Sequence, residues 1–284
     1  MFHQSTMKIA VHCGDVEKPR RALPSEAAFL GGAALLFALS AALTVVWCGS
    51  MSAMGGMRMP GGWTMSMVWM RMHGQTWSAA AASFLGMWSV MMLAMMLPSL
   101  VPMLSRYRRA IGGPRIARRG RLTAVVGAGY FAVWTVFGSV VFPIGVALAA
   151  VEMHRPAPAR AVPLLIGAVV LSAGVLQCTR WKARRLACCG GARGGGGQLA
   201  SDVGTAWRHG LRLGLDCLLC CSPLTAILFA SGVMDLAAMA VVTAAISLER
   251  LVPSGARVAR ATGAVAIGAG VYLVATALLA RAVT

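Results

Sequence analysis

Long apolar runs separated by short basic or glycine-rich segments dominate the chain, and within each run the apolar residues fill every position instead of one helical stripe. A helix that is apolar all round suits a bilayer, whose hydrocarbon core takes about 20 residues of helix. Seven such runs stand at about 27–48, 81–104, 122–149, 161–178, 213–231, 233–252 and 261–281, the fifth and sixth separated only by Gly232 and its neighbours. The expected fold is therefore all-α: a polytopic transmembrane helix bundle of about seven spans. Residues 27–281 would form a single transmembrane domain behind a polar cytoplasmic tail, 1–26. A methionine-rich outer loop, 49–78, joins the first two runs, and GGARGGGG at 190–197 marks a flexible cytoplasmic linker over 186–204. The first run is as long as a span and no small-residue cleavage site follows it, so it reads as an uncleaved anchor.

Composition agrees with this pattern: 58% of the 284 residues are hydrophobic and 12% charged. A net charge of +18 would suit nucleic acid if it were spread over one face, but lysine and arginine cluster between alternate runs. Of the 26, 21 fall in the tail, between Arg106 and Arg121, between Arg180 and Arg212, and at Arg250, Arg257 and Arg260; 5 fall on the opposite side. By the positive-inside rule the N-terminus is cytoplasmic and the C-terminus outside. Nucleic acid is not an expected partner. The lipid bilayer is.

Three blocks carry candidate chemistry. In MWSVMMLAMMLPS, residues 87–99, Met87, Met91 and Met95 recur every four residues with Met92 and Met96 alongside, so a helix presents all five on one broad face. Methionine is also an adaptable core filler, and a methionine stripe by itself is more often packing than a site. In LGLDCLLCCSP, Asp216 stands beside Cys217, Cys220 and Cys221, three thiols at the i, i+3 and i+4 spacing of a common face. Ionisable groups inside a span are costly and mark function, and Glu249 closes the sixth run, either as a site carboxylate or as an interfacial partner of Arg250. Counted from the outer ends of their runs, Met95, Cys217 and Glu249 lie about 21 to 24 Å deep, level with Gln177 and Cys178. The third block is the outer loop, where Met51, Met54, Met57, Met59, Met65, Met67, Met70 and Met72 fall in MxxM and MxM pairs near His73 and three tryptophans. Thioether and thiolate select soft ions such as Cu(I); the alternative for the loop is an interfacial segment anchored by Met and Trp. Disulfides do not account for the cysteines, because seven of the eight map to the reducing cytoplasmic half, and no second C-x₂-C pair completes a zinc ribbon.

Several of these blocks together resemble a bacterial family, domain of unknown function 2182, described as predicted metal-binding integral membrane proteins. The resemblance rests on MWSVMMLAMMLPS, on GYFAVWTVFG at 129–138, and on Gln177, Thr179, Lys182 and Cys189. It continues through GLRLGLDCLLCCSPLTAIL at 210–228, GVMDLAAM at 232–239 and Glu249. Asp235, Ser222 and Arg185 depart from the family pattern. What the resemblance implies is metal binding in a bacterial inner membrane.

The resulting expectation is a multi-pass membrane protein that binds a soft transition metal, copper before any other, for transport, storage or delivery. Met87, Met91, Met92, Met95, Met96, Asp216, Cys217, Cys220, Cys221 and Glu249 would form the inner site, with the loop methionines and His73 for capture. A metallochaperone or a membrane-protein partner would exchange the ion. The competing readings are a non-catalytic membrane subunit or assembly partner, and a thiol-redox protein. Vicinal cysteines on one helix make a poor disulfide. No Walker loop, phosphorylated-Asp motif or nucleophile elbow is present, so catalysis is not the leading expectation.

Overall fold

The computed structural model describes residues 24–53, 55–59, 63–71, 73–111, 116–189 and 202–283. Among them are eight α-helices: α1 (Pro24–Ala53), α2 (Trp77–Ile111), α3 (Ile116–His154), α4 (Pro156–Cys178), α5 (Arg180–Cys189), α6 (Val203–Ser231), α7 (Leu236–Leu251) and α8 (Gly255–Val283). The all-α bundle is as expected. Six of the helices, all but α5 and α7, are by length and composition long and apolar enough to cross a bilayer, and the remaining expected run is the shorter α7. The run at 233–252 folds as α7, only 16 residues, or about 24 Å at 1.5 Å per residue, against a hydrocarbon core of about 30 Å.

The ends of α7 explain its length. α6 stops at Gly232, whose φ of 110° is open to glycine, and the Asp235 carboxylate then caps α7 by accepting from the N–H groups of Ala237 and Ala238. At the far end the side chains of Glu249 and Arg250 turn into the protein and occupy the last turn. The basic stretch after α4, read as inter-span sequence, is helical through Cys189 as α5. The rest of the expected linker up to residue 201, like Met54, Met72 and Cys13, lies outside the described residues.

α2 is the central helix: 61% of its apolar window is buried, against 6% for α1, which packs along its side. Trp88, fully buried, donates its indole N–H to the Trp134 carbonyl of α3 at 2.8 Å and lies among Phe84, Phe137 and Phe229. Two helix pairs approach closely because they meet at glycines, as small residues allow between apolar helices. α3 meets α6 at Gly129 and Gly210, where a Cβ on Gly129 would stand 2.8 Å from the Trp207 carbonyl oxygen. α4 meets α8 at Gly174 and Gly263 in the same way. These approaches draw Tyr130 toward α6 and Gln177 toward α8.

Beyond the C-terminal end of α1, Met57–Arg58 pairs antiparallel with Thr64–Met65, and one tight helical turn, Met67–Trp69, leads toward α2. The Trp63 indole N–H donates to the Ala159 carbonyl at 2.9 Å, and Met59 and Met65 are buried against Ala149 and Ala159. A cavity of about 650 Å³ lies under this hairpin, bounded by Trp63, Met65, Trp69, Glu152 and Phe229.

Candidate functional site

Two buried polar clusters lie side by side where α2, α6 and α7 meet. The first is built on sulfur. The spacing of Met96, Ser99 and Met103 turns them to one face of α2, and the i, i+4 pair Cys217 and Cys221 faces them from α6. The two Sγ atoms are 3.7 Å apart, and the Cys217 Sγ lies 4.0 Å from the Met96 Sδ. Tyr130 of α3 donates its hydroxyl to the Cys217 Sγ at 2.9 Å. The Arg250 guanidinium of α7 donates to the same sulfur at 2.8 Å, to the Ser99 Oγ at 3.3 Å and to the Met103 Sδ at 3.3 Å. Cys217, Tyr130 and Met96 are fully buried.

Two sulfurs bound to one thiophilic ion at about 2.3 Å each stand no more than about 4.6 Å apart, so the Cys217–Cys221 separation of 3.7 Å and the Cys217–Met96 separation of 4.0 Å each suit a pair of sulfurs on one soft ion. Among the described residues no three of His, Cys, Asp and Glu are placed to hold a metal together. The fit is to a small, sulfur-only, low-coordinate site, which soft Cu(I) accepts.

The second cluster is an ion pair without access to water. Lys182 of α5, 0% exposed, places its Nζ 2.7 Å from the Glu249 Oε2 and donates to the Cys220 carbonyl at 2.6 Å. Gln177 donates to the Glu249 Oε1 at 2.6 Å, and the Thr262 hydroxyl donates to the same oxygen at 3.0 Å. α6 is prepared for this by Pro223. Proline has no N–H for the Leu219 carbonyl, which the Ser222 hydroxyl covers at 3.0 Å, and the next carbonyl, that of Cys220, takes the ammonium. The backbone carrying the thiols is thus pinned to the ion pair.

The expected site residues separate accordingly. Met96, Cys217 and Cys221 come together. Cys220 is buried beside them and is joined to Lys182 through its carbonyl. Met87, Met91, Met92 and Met95 are buried in the hydrophobic core of the bundle. Glu249 faces Lys182 instead of the sulfurs, and the partner once open to it, Arg250, faces the thiol instead. Asp216 points outward; its side chain is 49% exposed and lies 3.9 Å from Arg185. In the outer loop Met57 and His73 are exposed, Met51, Met67 and Met70 half-buried, and Met59 and Met65 packed away. At the same end the Cys48 thiol of α1 approaches the Met234 Sδ at 3.8 Å.

Arg250, Tyr130, Ser99, Met103 and Thr262 were not singled out from sequence as site residues, and Lys182 was noted only within a motif. Lys182 and Arg250 were counted among inter-span basic charges. A signal was available for each: Lys182 lies five residues after Gln177, and Arg250 lies within the last turn of an apolar run.

Curated proteins and solved structures offer no match to this chain. A family model does, over residues 85–273: PpoB2, described as a copper chaperone. That span takes in well over half of the chain and every residue of both buried clusters, and the chain belongs to this copper chaperone family.

Proposed function

We propose that the protein is a multi-pass inner-membrane protein that carries Cu(I) as cargo on Met96, Cys217 and Cys221 and passes it to a partner protein. The observation that supports this reading most strongly is the close set of three sulfurs, fully enclosed by α2, α3, α6 and α7. Thiols release protons on binding a metal, and the Arg250 guanidinium at 2.8 Å stabilises the negative sulfur that results. No electron changes hands: the ion arrives and leaves as Cu(I), while two S–H bonds give way to two S–Cu bonds and the protons pass to solvent. Enclosure protects the ion from water and oxidants. Release then requires a partner that supplies competing thiolates. A metallochaperone or a membrane-bound copper enzyme would do so.

Membership of a copper chaperone family favours delivery over storage. The motif resemblance to domain of unknown function 2182 is compatible with it. The outer loop is assigned a lesser part, because Met59 and Met65 hold the hairpin on α3 and α4 and so are not free to take up an ion. Met57 and His73 remain exposed for first contact.

The test compares purified wild type with the double variant Cys217→Ser/Cys221→Ser, which keeps volume nearly constant and removes the soft ligands. Under reducing conditions with added copper the wild type is expected to hold one copper per chain and the variant to lose nearly all of it. Equal copper in both would return the sulfurs to the role of packing and favour a structural subunit.

The same reading sets the orientation. With the N-terminus cytoplasmic, and with α7 carrying the chain back from the hairpin end, where Ser231 and Gly232 line the cavity, to Gln177 and Lys182 at the opposite end, a reporter active only outside the cell gives signal when fused after Thr284 and none when inserted at Gly195. The reverse pattern would invert the proposed topology and place the hairpin in the cytoplasm.

A further inference from the structure

We propose that the cavity under the hairpin is a lipid site: it takes the headgroup amine and one acyl chain of an ethanolamine phospholipid, with the amine on Glu152. The proposal rests on the reading of the six long helices as spans and is independent of the sulfur cluster.

The cavity is built into the fold. Val141, Ile144, Leu148 and Glu152 line it from one face of α3, so it follows that helix for about 16 Å. Its volume of about 650 Å³ lies within the range of about 300–1,000 Å³ found for small-molecule sites. The roof is fixed at two points. The Trp63 indole N–H donates to the Ala159 carbonyl at 2.9 Å, and the Trp69 ring fills the space that a Cβ on Gly145 would overlap. The hairpin is therefore propped across α3 and α4 and keeps the space beneath it open.

Polarity changes along the cavity. Glu152, Thr64, Ser66 and Ser231 stand at the hairpin end, whereas the walls farther along α3 and α4, Val141, Ile144 and Ile166, are apolar. Ile144 and Leu148 are 54% and 57% exposed, so the cavity is within reach of whatever surrounds the bundle. Along a span that is lipid.

Charge selects the headgroup. Glu152 is half-buried and has no ion-pair partner among the described residues. Arg58, Arg71, Arg155 and Arg160 are exposed and do not line the cavity, which leaves them for a lipid phosphate outside it. α3 and α6 both end here, and C-terminal helix carbonyls carry partial negative charge; the first turn of α4 is not part of the lining. Trp63, Trp69 and Phe229 add aromatic rings, which attract cations. A metal ion is poorly served by one carboxylate and the single buried thioether of Met65. An ammonium group with a hydrocarbon tail satisfies both ends: its N–H groups donate to the Glu152 carboxylate, and the tail covers the apolar walls. An anionic headgroup would meet only negative charge.

The experiment titrates purified protein in a neutral detergent with phosphatidylethanolamine or phosphatidylglycerol of identical acyl chains and counts bound lipid by native mass spectrometry. Wild type is expected to bind the ethanolamine lipid at least about tenfold more tightly than the glycerol lipid. Glu152→Gln should bring that ratio close to one, and Glu152→Asp, which keeps the charge, should retain most of it. Ile166→Trp fills the chain end of the cavity and is expected to weaken both lipids about tenfold, with Val162→Phe as a second filler. Melting without lipid checks that each variant is folded. Soluble phosphoethanolamine, which lacks the chains, should bind far more weakly than the lipid. Equal binding of the two lipids by wild type, or a preference that survives Glu152→Gln, overturns the proposal; so does lipid binding unchanged by both fillers. Copper content is expected to match wild type in every variant, so these failures leave the sulfur site standing. Failure of the protein to insert into liposomes overturns the spanning reading and this proposal with it.

Discussion

Replacing Lys182 by Met is expected to destabilise the protein by about 3–5 kcal/mol, the cost of leaving one charge of a buried pair without its partner. The Glu249 carboxylate is 2% exposed and would keep only the Gln177 and Thr262 donors at 2.6 and 3.0 Å. Glu249→Gln strands the Lys182 ammonium in the same way, with the Cys220 carbonyl as its remaining acceptor. The double replacement, Lys182→Met with Glu249→Gln, removes both charges and should recover most of the loss, since well-packed neutral substitutes for a buried pair are often close to neutral in stability. Thermal or denaturant unfolding in one detergent checks all three. Single variants within about 1 kcal/mol of wild type would mean that water reaches the pair, and the pinning of α6 through Cys220 would lose its basis.

The second large effect is steric. A Cβ on Gly210 would overlap the Val126 carbonyl oxygen and stand 3.0 Å from the Val126 carbonyl carbon and 3.1 Å from the Gly129 Cα. All three are backbone atoms, so a rotamer change cannot make room and α3 must separate from α6. Gly210→Ala is expected to cost about 1–3 kcal/mol, the usual range for overpacking. It should also loosen the Tyr130 hydrogen bond to Cys217, because those residues sit one turn or two along the same two helices. Gly86→Ala in α2 is the control: nothing lies within 4 Å of its added methyl, and alanine in a helix interior gains up to about 1 kcal/mol over glycine. Opposite shifts in melting temperature are expected. Equal shifts would mean that helix propensity, and not the α3–α6 approach, governs Gly210.

How much of this was readable without coordinates depends on whether a property belongs to one helix or to several. The apolar runs located α1, α2, α3, α4, α6 and α8, because a run long enough to bury itself in lipid must satisfy its own backbone and only a helix does so. Spacing of three and four also placed the α2 methionines on one face and the α6 cysteines on another. The run at 233–252 located α7 as well, its start set by the Asp235 cap and its helix running from Leu236 to Leu251.

Asp216 shows the limit on a smaller scale. It is adjacent to Cys217, but one residue rotates a side chain by about 100° around a helix, so it faces outward near Arg185 while its neighbour is buried.

The sequence by itself determined the helical class, the pattern of apolar runs and the faces on which sulfur is displayed, since each follows from the period of a single helix. Only the tertiary structure decided which of those faces meet. It took Lys182, Arg250 and Arg108 out of what read as inter-span charge: Lys182 to Glu249, Arg250 to Cys217, and Arg108 to the Ser25 carbonyl at 3.2 Å. The reason is physical. Inter-span basic residues look alike along the chain whether they end in water or in protein, and what separates them is the close approach of helices distant in sequence, brought about by glycines at the α3–α6 and α4–α8 contacts.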